Sequence, residues 1–327
     1  MTHLTKPRFV RSAASLCGLI LLSAGLLTCG SPDAPAAGET LPVQPLPRSV
    51  SCLVMGDWGV QGLLHQSQVA AQMDRYAGGV GARFVLVTGD NFYLSGVSST
   101  QDPQWQQSIE RVYTGSHLQV PFKVVLGNHD YQQNAQAEVD YTKLSSRWQM
   151  PARYFTESVP IDGQTSVRFV YIDTNPFVQA YRQNPAGYPQ IGQDTGRQLA
   201  WLDSVLARAP ERWKIVVGHH PIRSVGTDHG DQSELVDQVQ PLLTKYGVQA
   251  YLCGHSHTLQ HLTTGGPTDY VISGAGGAPL GGVAPGAPAR FAAAVGGFAV
   301  LSVNADSLRV SFVNATGDRL YQMQRSY

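Results

Sequence analysis

From residue 49 onward, short apolar runs alternate with longer stretches in which apolar residues recur every three or four positions. The runs at 52–55, 84–87, 122–126, 167–172, 215–217 and 248–253 are nearly continuous, the pattern of strands covered on both faces. Between them, 63–76, 103–113, 134–148, 194–207 and 231–246 read as helices, with Asp194 and Asp231 placed to cap the last two. Further β-rich runs follow at 270–273, 298–303, 308–313 and 320–324. Strands and helices alternate and no internal repeat interrupts them, so the fold class is α/β.

Ahead of residue 49 the pattern changes. Lys6, Arg8 and Arg11 open the chain, and the uncharged stretch 13–27 that follows is shorter than the roughly 20 residues a membrane-spanning helix needs. A basic start and a short apolar run read as a secretory signal. The run ends in Leu26-Leu27-Thr28-Cys29-Gly30, which resembles a bacterial lipoprotein signal, although Thr28 stands where such signals usually have Gly, Ala or Ser. The alternative is an ordinary secretory signal cleaved nearby, with Cys29 as a bystander. The expected organisation is a signal over 1–28, a Pro- and Ala-rich tether over 29–48, and one folded domain over 49–327. Such a protein is exported: periplasmic or at the cell surface on a lipid-bearing Cys29, or secreted.

Composition narrows the class. Of 327 residues 43% are apolar, too many for a disordered chain. The 23 basic and 23 acidic side chains balance, and no basic tract interrupts them, which argues against a nucleic-acid partner held by phosphate charge. The four cysteines lack the short paired spacing of a disulfide scaffold or zinc ribbon. Removing 1–28 takes away three cations and no acid. An anionic substrate would then need a local positive source such as metal ions.

Five apolar runs lead straight into a turn of glycine and polar residues. These are Gly56-Asp57-Trp58-Gly59, Gly89-Asp90-Asn91-Phe92-Tyr93, Gly127-Asn128-His129-Asp130, Gly218-His219-His220-Pro221 and Gly254-His255-Ser256-His257. Ligands of open α/β sheets bind at the carboxyl ends of strands. Each glycine is expected to let the chain bend so that the next side chain faces the cleft. Oxygen and imidazole donors without thiolate suit Fe, Mn or Zn, and seven of them suit two ions sharing a carboxylate.

These turns, in this order, resemble those of the calcineurin-like metallophosphoesterases, and Tyr93 narrows the likeness to the low-molecular-weight purple (tartrate-resistant type) acid phosphatases. The resemblance covers about residues 49–327. It implies a four-layer αββα sandwich whose second sheet is completed by the late β-rich runs. It also implies hydrolysis of small phosphate monoesters with a metal-bound hydroxide. Asp57, Tyr93 and His257 would hold Fe(III), and Asn128, His219 and His255 a divalent Fe, Zn or Mn, with Asp90 bridging the two. His129 would contact the phosphate or help protonate the leaving group, with Asp130 orienting it. His229 would be a second substrate-side histidine, although the segment after Pro221 is one residue longer than in the mammalian enzymes. A phosphodiesterase or nucleotide pyrophosphatase on the same centre is the nearest rival. A non-catalytic phosphate- or metal-binding lipoprotein is the rival from another class.

Other conspicuous residues have plainer readings. His220 reads as a rim or packing residue, and His65, His117 and His261 as surface or core-edge histidines. Asp173 either buttresses the site or caps a turn, and Cys52 and Cys253 read as buried free thiols. The Gly/Pro/Ala stretch 274–297 reads as a flexible wall of the cleft.

Overall fold

The computed structural model of the protein describes residues 42–327, so the signal, Cys29 and most of the tether lie outside the described residues. The first strands are β1 (Val50–Met55), β2 (Val85–Val87), β3 (Phe122–Val124), β4 (Trp148–Gln149), β5 (Phe155–Pro160), β6 (Ser166–Tyr171) and β7 (Trp213–Val217). They continue as β8 (Ala250–Cys253), β9 (Leu259–Thr263), β10 (Asp269–Ser273), β11 (Phe291–Ala293), β12 (Gly297–Val303), β13 (Ser307–Asn314) and β14 (Arg319–Ser326). The helices are α1 (Gln66–Val80), α2 (Ala135–Tyr141), α3 (Gln179–Arg182), α4 (Thr195–Arg208), α5 (Ser233–Gln238) and α6 (Gln240–Lys245).

The strands form two seven-stranded sheets, ordered β14-β13-β12-β1-β2-β3-β4 and β11-β9-β10-β8-β7-β6-β5. Successive residues of a strand point to opposite faces, and that alternation builds the layers. Leu53 and Met55 of β1 pack with Val69, Met73 and Tyr76 of α1. Their neighbours Cys52 and Val54 pack with Phe169, Ile215 and Leu252 of the other sheet. On that sheet's far face, Val216 and Tyr251 pack with Leu202, Leu206 and Leu243 of α4 and α6. The result is the expected helix–sheet–sheet–helix sandwich. Cys52 and Cys253 are buried free thiols, as read.

Several elements differ from the sequence expectation, each for a tertiary reason. The last three strands complete the first sheet rather than the second, because β12 pairs antiparallel with β1, and β10 alone of the late runs joins β8. The helix expected over 134–148 stops at Tyr141, and Trp148 pairs with Phe122 as an edge strand while its indole donates to Glu138 O at 2.9 Å. The stretch 103–113 holds one wide turn, Trp105–Glu110, with the Trp105 ring stacked 3.6 Å from that of Tyr141. The stretch 231–246 breaks into α5 and α6, since Pro241 has no N–H to continue the first helix. Asp194 caps α4 as expected, accepting from Arg197 N at 2.9 Å. Asp231 caps nothing; its carboxylate takes Arg223 Nη1 at 2.6 Å and Ser224 N at 2.8 Å.

Candidate metal centre

β1, β2 and β3 are parallel neighbours in one sheet, and β7 and β8 in the other. The turns after these five strands meet, and all seven expected donor residues come together there. Around His219 Nε2 stand Asn128 Oδ1 at 3.1 Å, His255 Nδ1 at 3.1 Å and Asp90 Oδ1 at 3.4 Å. Around the Tyr93 hydroxyl stand Asp90 Oδ2 at 2.9 Å, His257 Nε2 at 3.1 Å and Asp57 Oδ1 at 3.3 Å. Asp90 belongs to both groups, one oxygen in each.

The glycines ahead of the donors are required by crowding more than by backbone bending. A Cβ on Gly127 would sit 2.1 Å from Asp90 Oδ1, and one on Gly254 would sit 2.3 Å from Asp57 Oδ2. Apart from Gly89, whose φ is 94°, the bend falls on the donors themselves: Asp57, Asp90 and His255 have φ of 57°, 49° and 65°. Such left-handed conformations cost a non-glycine residue about 1–3 kcal/mol each. Neighbouring turns hold them there. Asp57 N donates to Gly89 O at 3.0 Å, and His255 N donates to Asp57 Oδ2 at 2.9 Å.

Backbone carbonyls also set the imidazoles. His219 Nδ1 donates to Thr88 O at 2.8 Å and His257 Nδ1 to Pro279 O at 2.7 Å, so each turns its Nε2 inward. Burial, followed by the neighbouring His220 and His219, holds His255 well below the usual histidine range and keeps it neutral. Burial alone would raise the Asp90 carboxyl, but His219 and His129 hold it below the usual carboxylate range. Burial and then Asp90 and Asp57 push the Tyr93 phenol up, whereas His257, lowered by burial but bonded to Asp57, rises to about 9. Around His219, four acceptor atoms share at most one hydrogen, carried by His255. Buried acceptors at such range repel unless a cation lies among them, so this group fits a metal ion, and Asp57, Asp90 and His257 beside Tyr93 could hold a second.

The surroundings refine several expectations. His129 Nδ1 contacts Leu94 O, its Nε2 lies 3.9 Å from Asp90 Oδ2, and its backbone N–H donates to Asp90 Oδ1 at 2.9 Å. Asp130 does not orient that ring. Its carboxylate takes Asn91 N and Gly127 N, both at 2.8 Å, and so ties the β2 and β3 turns together. His229 lies over His255, ring centroids 4.0 Å apart. His220 is not at the rim but fully buried, with Nδ1 2.8 Å from Thr174 Oγ1 and Nε2 3.2 Å from Tyr181 Oη. His261 is buried, 3.0 Å from Asp269, whereas His117 is exposed beside Asp74. His65, partly buried, contacts Ala275 O at 3.1 Å. Asp173 does both things read for it: it accepts from Tyr131 Oη beside the site and caps the following turn, taking Asn175 N at 3.2 Å and Asn175 Nδ2 at 3.0 Å. The stretch 274–297 is bonded in place at its start, Gly276 N to Gly56 O at 3.0 Å and Ala278 N to Asp57 O at 2.8 Å.

Sequence reasoning missed Asn91 and Glu138. Asn91 Nδ2 reaches Asp130 at 3.1 Å and Glu138 at 2.9 Å, so two buried acids brace the site from behind. Burial pushes Glu138 up to about 8. Burial and then Glu138 push Asp130 well above the carboxylate range. A polar Glu on the buried side of α2 was the available signal.

The family described as "Calcineurin-like phosphoesterase" matches residues 51–259. "Purple acid phosphatase 17" of Arabidopsis thaliana is 39% identical over 70% of this chain and 68% of its own length. "Tartrate-resistant acid phosphatase type 5" of Oryctolagus cuniculus is 35% identical over 83% of this chain and 89% of its own. The chain belongs to the purple acid phosphatases of the calcineurin-like phosphoesterase family. In fold it is similar to a solved structure described as "GAP50 the anchor in the inner membrane complex of Plasmodium", with a TM-score of 0.74 and 23% identity over 85% of this chain and 89% of that one. The family implies a dinuclear metal centre, and the two donor groups that share Asp90 fit it.

Gly127→Ala tests the crowding. It should leave the fold intact by circular dichroism but lower metal content well below stoichiometric, and full metal occupancy would reject the account. Glu138 supplies a pH test. Its folded value near 8 lies above the ordinary 4.5, so the folded state binds the extra proton. That stability is complete below about pH 4.5 and is lost as pH rises through about 8. Relative to Glu138→Gln, the wild-type urea midpoint should therefore fall between pH 5 and 8. A difference that stays constant or grows would refute the raised Glu138.

Proposed function

We infer that the chain is a dinuclear-metal acid phosphatase that hydrolyses phosphate monoesters. The observation that carries this reading is the convergence of seven metal-ligating side chains, from five strand ends, into two groups that share Asp90. Two cations held there would bind phosphate oxygens, acidify water and stabilise the charge of an in-line displacement. The chain's own residues do the rest. Asp90 offers one oxygen to each group and keeps the two positions together. The Leu94 carbonyl fixes the His129 ring with Nε2 directed away from it, so that nitrogen can hold a proton for the departing alcohol. His229, half-buried over His255, stands on the other side as a second contact for the phosphate. The buried Asp130 and Asn91 keep the β2 and β3 turns in register beneath His129.

Metal identity follows donor chemistry. Asp57 and Tyr93 supply hard anionic oxygens suited to Fe(III), with His257 beside them, and Asn128, His219 and His255 neutral donors suited to divalent Fe, Zn or Mn. The protein is exported by its N-terminal signal, on a lipid-bearing Cys29 or as a secreted chain. No helix among the described residues is long and apolar enough to cross a membrane.

Purified protein should contain two metal ions per chain, one of them iron, show a visible tyrosinate–iron band, and hydrolyse p-nitrophenyl phosphate in acid. Tyr93→Phe should keep the fold, lose the colour and move the optimum upward. A colourless wild type holding full ferric iron would exclude Tyr93 as a ligand, and stoichiometric metal without hydrolysis would exclude the phosphatase. For anchorage, the intact mass of membrane-fraction protein should begin at a lipid-bearing Cys29. An unmodified N-terminus elsewhere, on freely soluble protein, would leave the secreted alternative.

A further inference from the structure

Asp57, Asp90, His219 and His255 are buried, so the floor of the cleft is closed. A phosphate resting on these donors must turn its ester oxygen outward. Whatever alcohol it carries then meets the mouth, whose surface is unusual for a soluble enzyme. Leu94, whose carbonyl holds the His129 ring, is 79% exposed. Leu280, which follows the Pro279 carbonyl that holds His257, is 44% exposed. Exposed Leu63 and Leu64 immediately precede His65, which contacts the start of that same loop at Ala275 O, and Gly296, next to exposed Val295, packs against the His65 ring. Among the described residues, the only other exposed large apolar side chains are Leu144 and Tyr327. Exposed apolar surface gathered at one place marks a binding surface.

The opposite wall is aromatic. Tyr181 and Tyr188 stack with ring centroids 4.2 Å apart, and Tyr181 Oη lies 3.2 Å from His220 Nε2. The His220 ring in turn lies 4.4 Å from that of His255, which places the pair beside the donor groups. Both phenols are raised, first by burial and with Asp90 among the further causes, as befits rings within reach of that carboxylate. Charge is absent where an anionic alcohol would need it. Among the described residues, no Lys or Arg pairs with the seven donors, His129 or His229. Arg153, which reaches the Tyr188 loop, donates to Tyr131 Oη and to Gln190 Oε1, both at 2.6 Å. The charged side chain that does border the mouth is the exposed Asp228, against Gly281 next to Leu280.

We propose that this mouth selects phosphate monoesters with an uncharged, apolar alcohol of arylalkyl type, and that Leu94 and Tyr188 make the selection. The inference rests on the phosphatase reading and names the substrate class for that same site. An apolar alcohol removes leucine and tyrosine surface from water as it docks, whereas an anionic one meets that surface without a counter-ion and faces Asp228.

The test uses two primary alkyl esters, 2-phenylethyl phosphate and glycerol phosphate, so that neither carries an activated leaving group. In metal-loaded full-length protein, kcat/KM should favour the phenylethyl ester by about 10- to 100-fold. Leu94→Ser and Tyr188→Ser should each cut that ratio about tenfold, with metal content and circular dichroism serving as folding controls. Calorimetry supplies a readout without turnover: 2-phenylethylphosphonate should bind more tightly than methylphosphonate, and both variants should shrink the difference. Equal hydrolysis of the two esters by the wild type, or a ratio that neither substitution moves, would overturn the inference and leave the phosphatase standing. Absence of hydrolysis with the phosphonate preference intact would instead overturn the phosphatase reading and support the selective mouth.

Discussion

Everything near the cleft depends on the mutual exclusion of acceptor atoms. Around His219, carboxylate, amide and imidazole lone pairs are held close to one another with too few hydrogens to share. Protein interiors do not tolerate such an arrangement without compensation. The chain maintains it by interlocking the five turns so tightly that each leaves no room for a Cβ on its neighbour. Glycine at Gly127 and Gly254 is thus a consequence of where Asp90 and Asp57 must stand.

That crowding has a conformational cost, visible in the left-handed backbones of Asp57, Asp90 and His255. The sandwich absorbs it. Alternating residues of β1 and β7 feed apolar interfaces on both faces of each sheet, so the strand ends are anchored by large buried clusters. Behind the turns, Asn91, Asp130 and Glu138 add a second set of bonds, in which burial favours retaining a proton on the acids and so lessens their negative charge. Strain at the site is stable because the layers beneath it are over-determined.

The same geometry divides the labour of the cleft. Its floor is made of anionic and imidazole donors suited to cations, and through them to phosphate. Its mouth is made of leucine and stacked tyrosine, with no basic side chain among the described residues paired to the donors. Affinity for the phosphoryl group and choice of the alcohol are therefore built from different residues, on different loops. Turnover chemistry can stay constant while the mouth changes what is accepted.

Much of this was legible in the chain before folding. Apolar runs ending in glycine and a donor predict strands with ligands at their carboxyl ends, and the seven donors meet there because the pattern is local to each turn. Asp194 capped its helix for the same reason: the N–H it accepts lies three residues away. Asp231 was misread because Arg223 and Ser224, earlier in the same loop, take its carboxylate, and Asp130 because the backbone of the neighbouring strand's turn does. Of the two readings of His220 the packing one holds, against Thr174 and Tyr181. The sheet joined by the last strands was equally invisible, since β-rich runs do not specify which edge they pair with, and β1 offered its free edge to β12. Sequence alone determined which side chains can hold metal and where along the chain they turn inward. Tertiary structure decided which neighbours brace them, which glycines crowding requires and what the mouth presents, because those depend on atoms brought together across the fold.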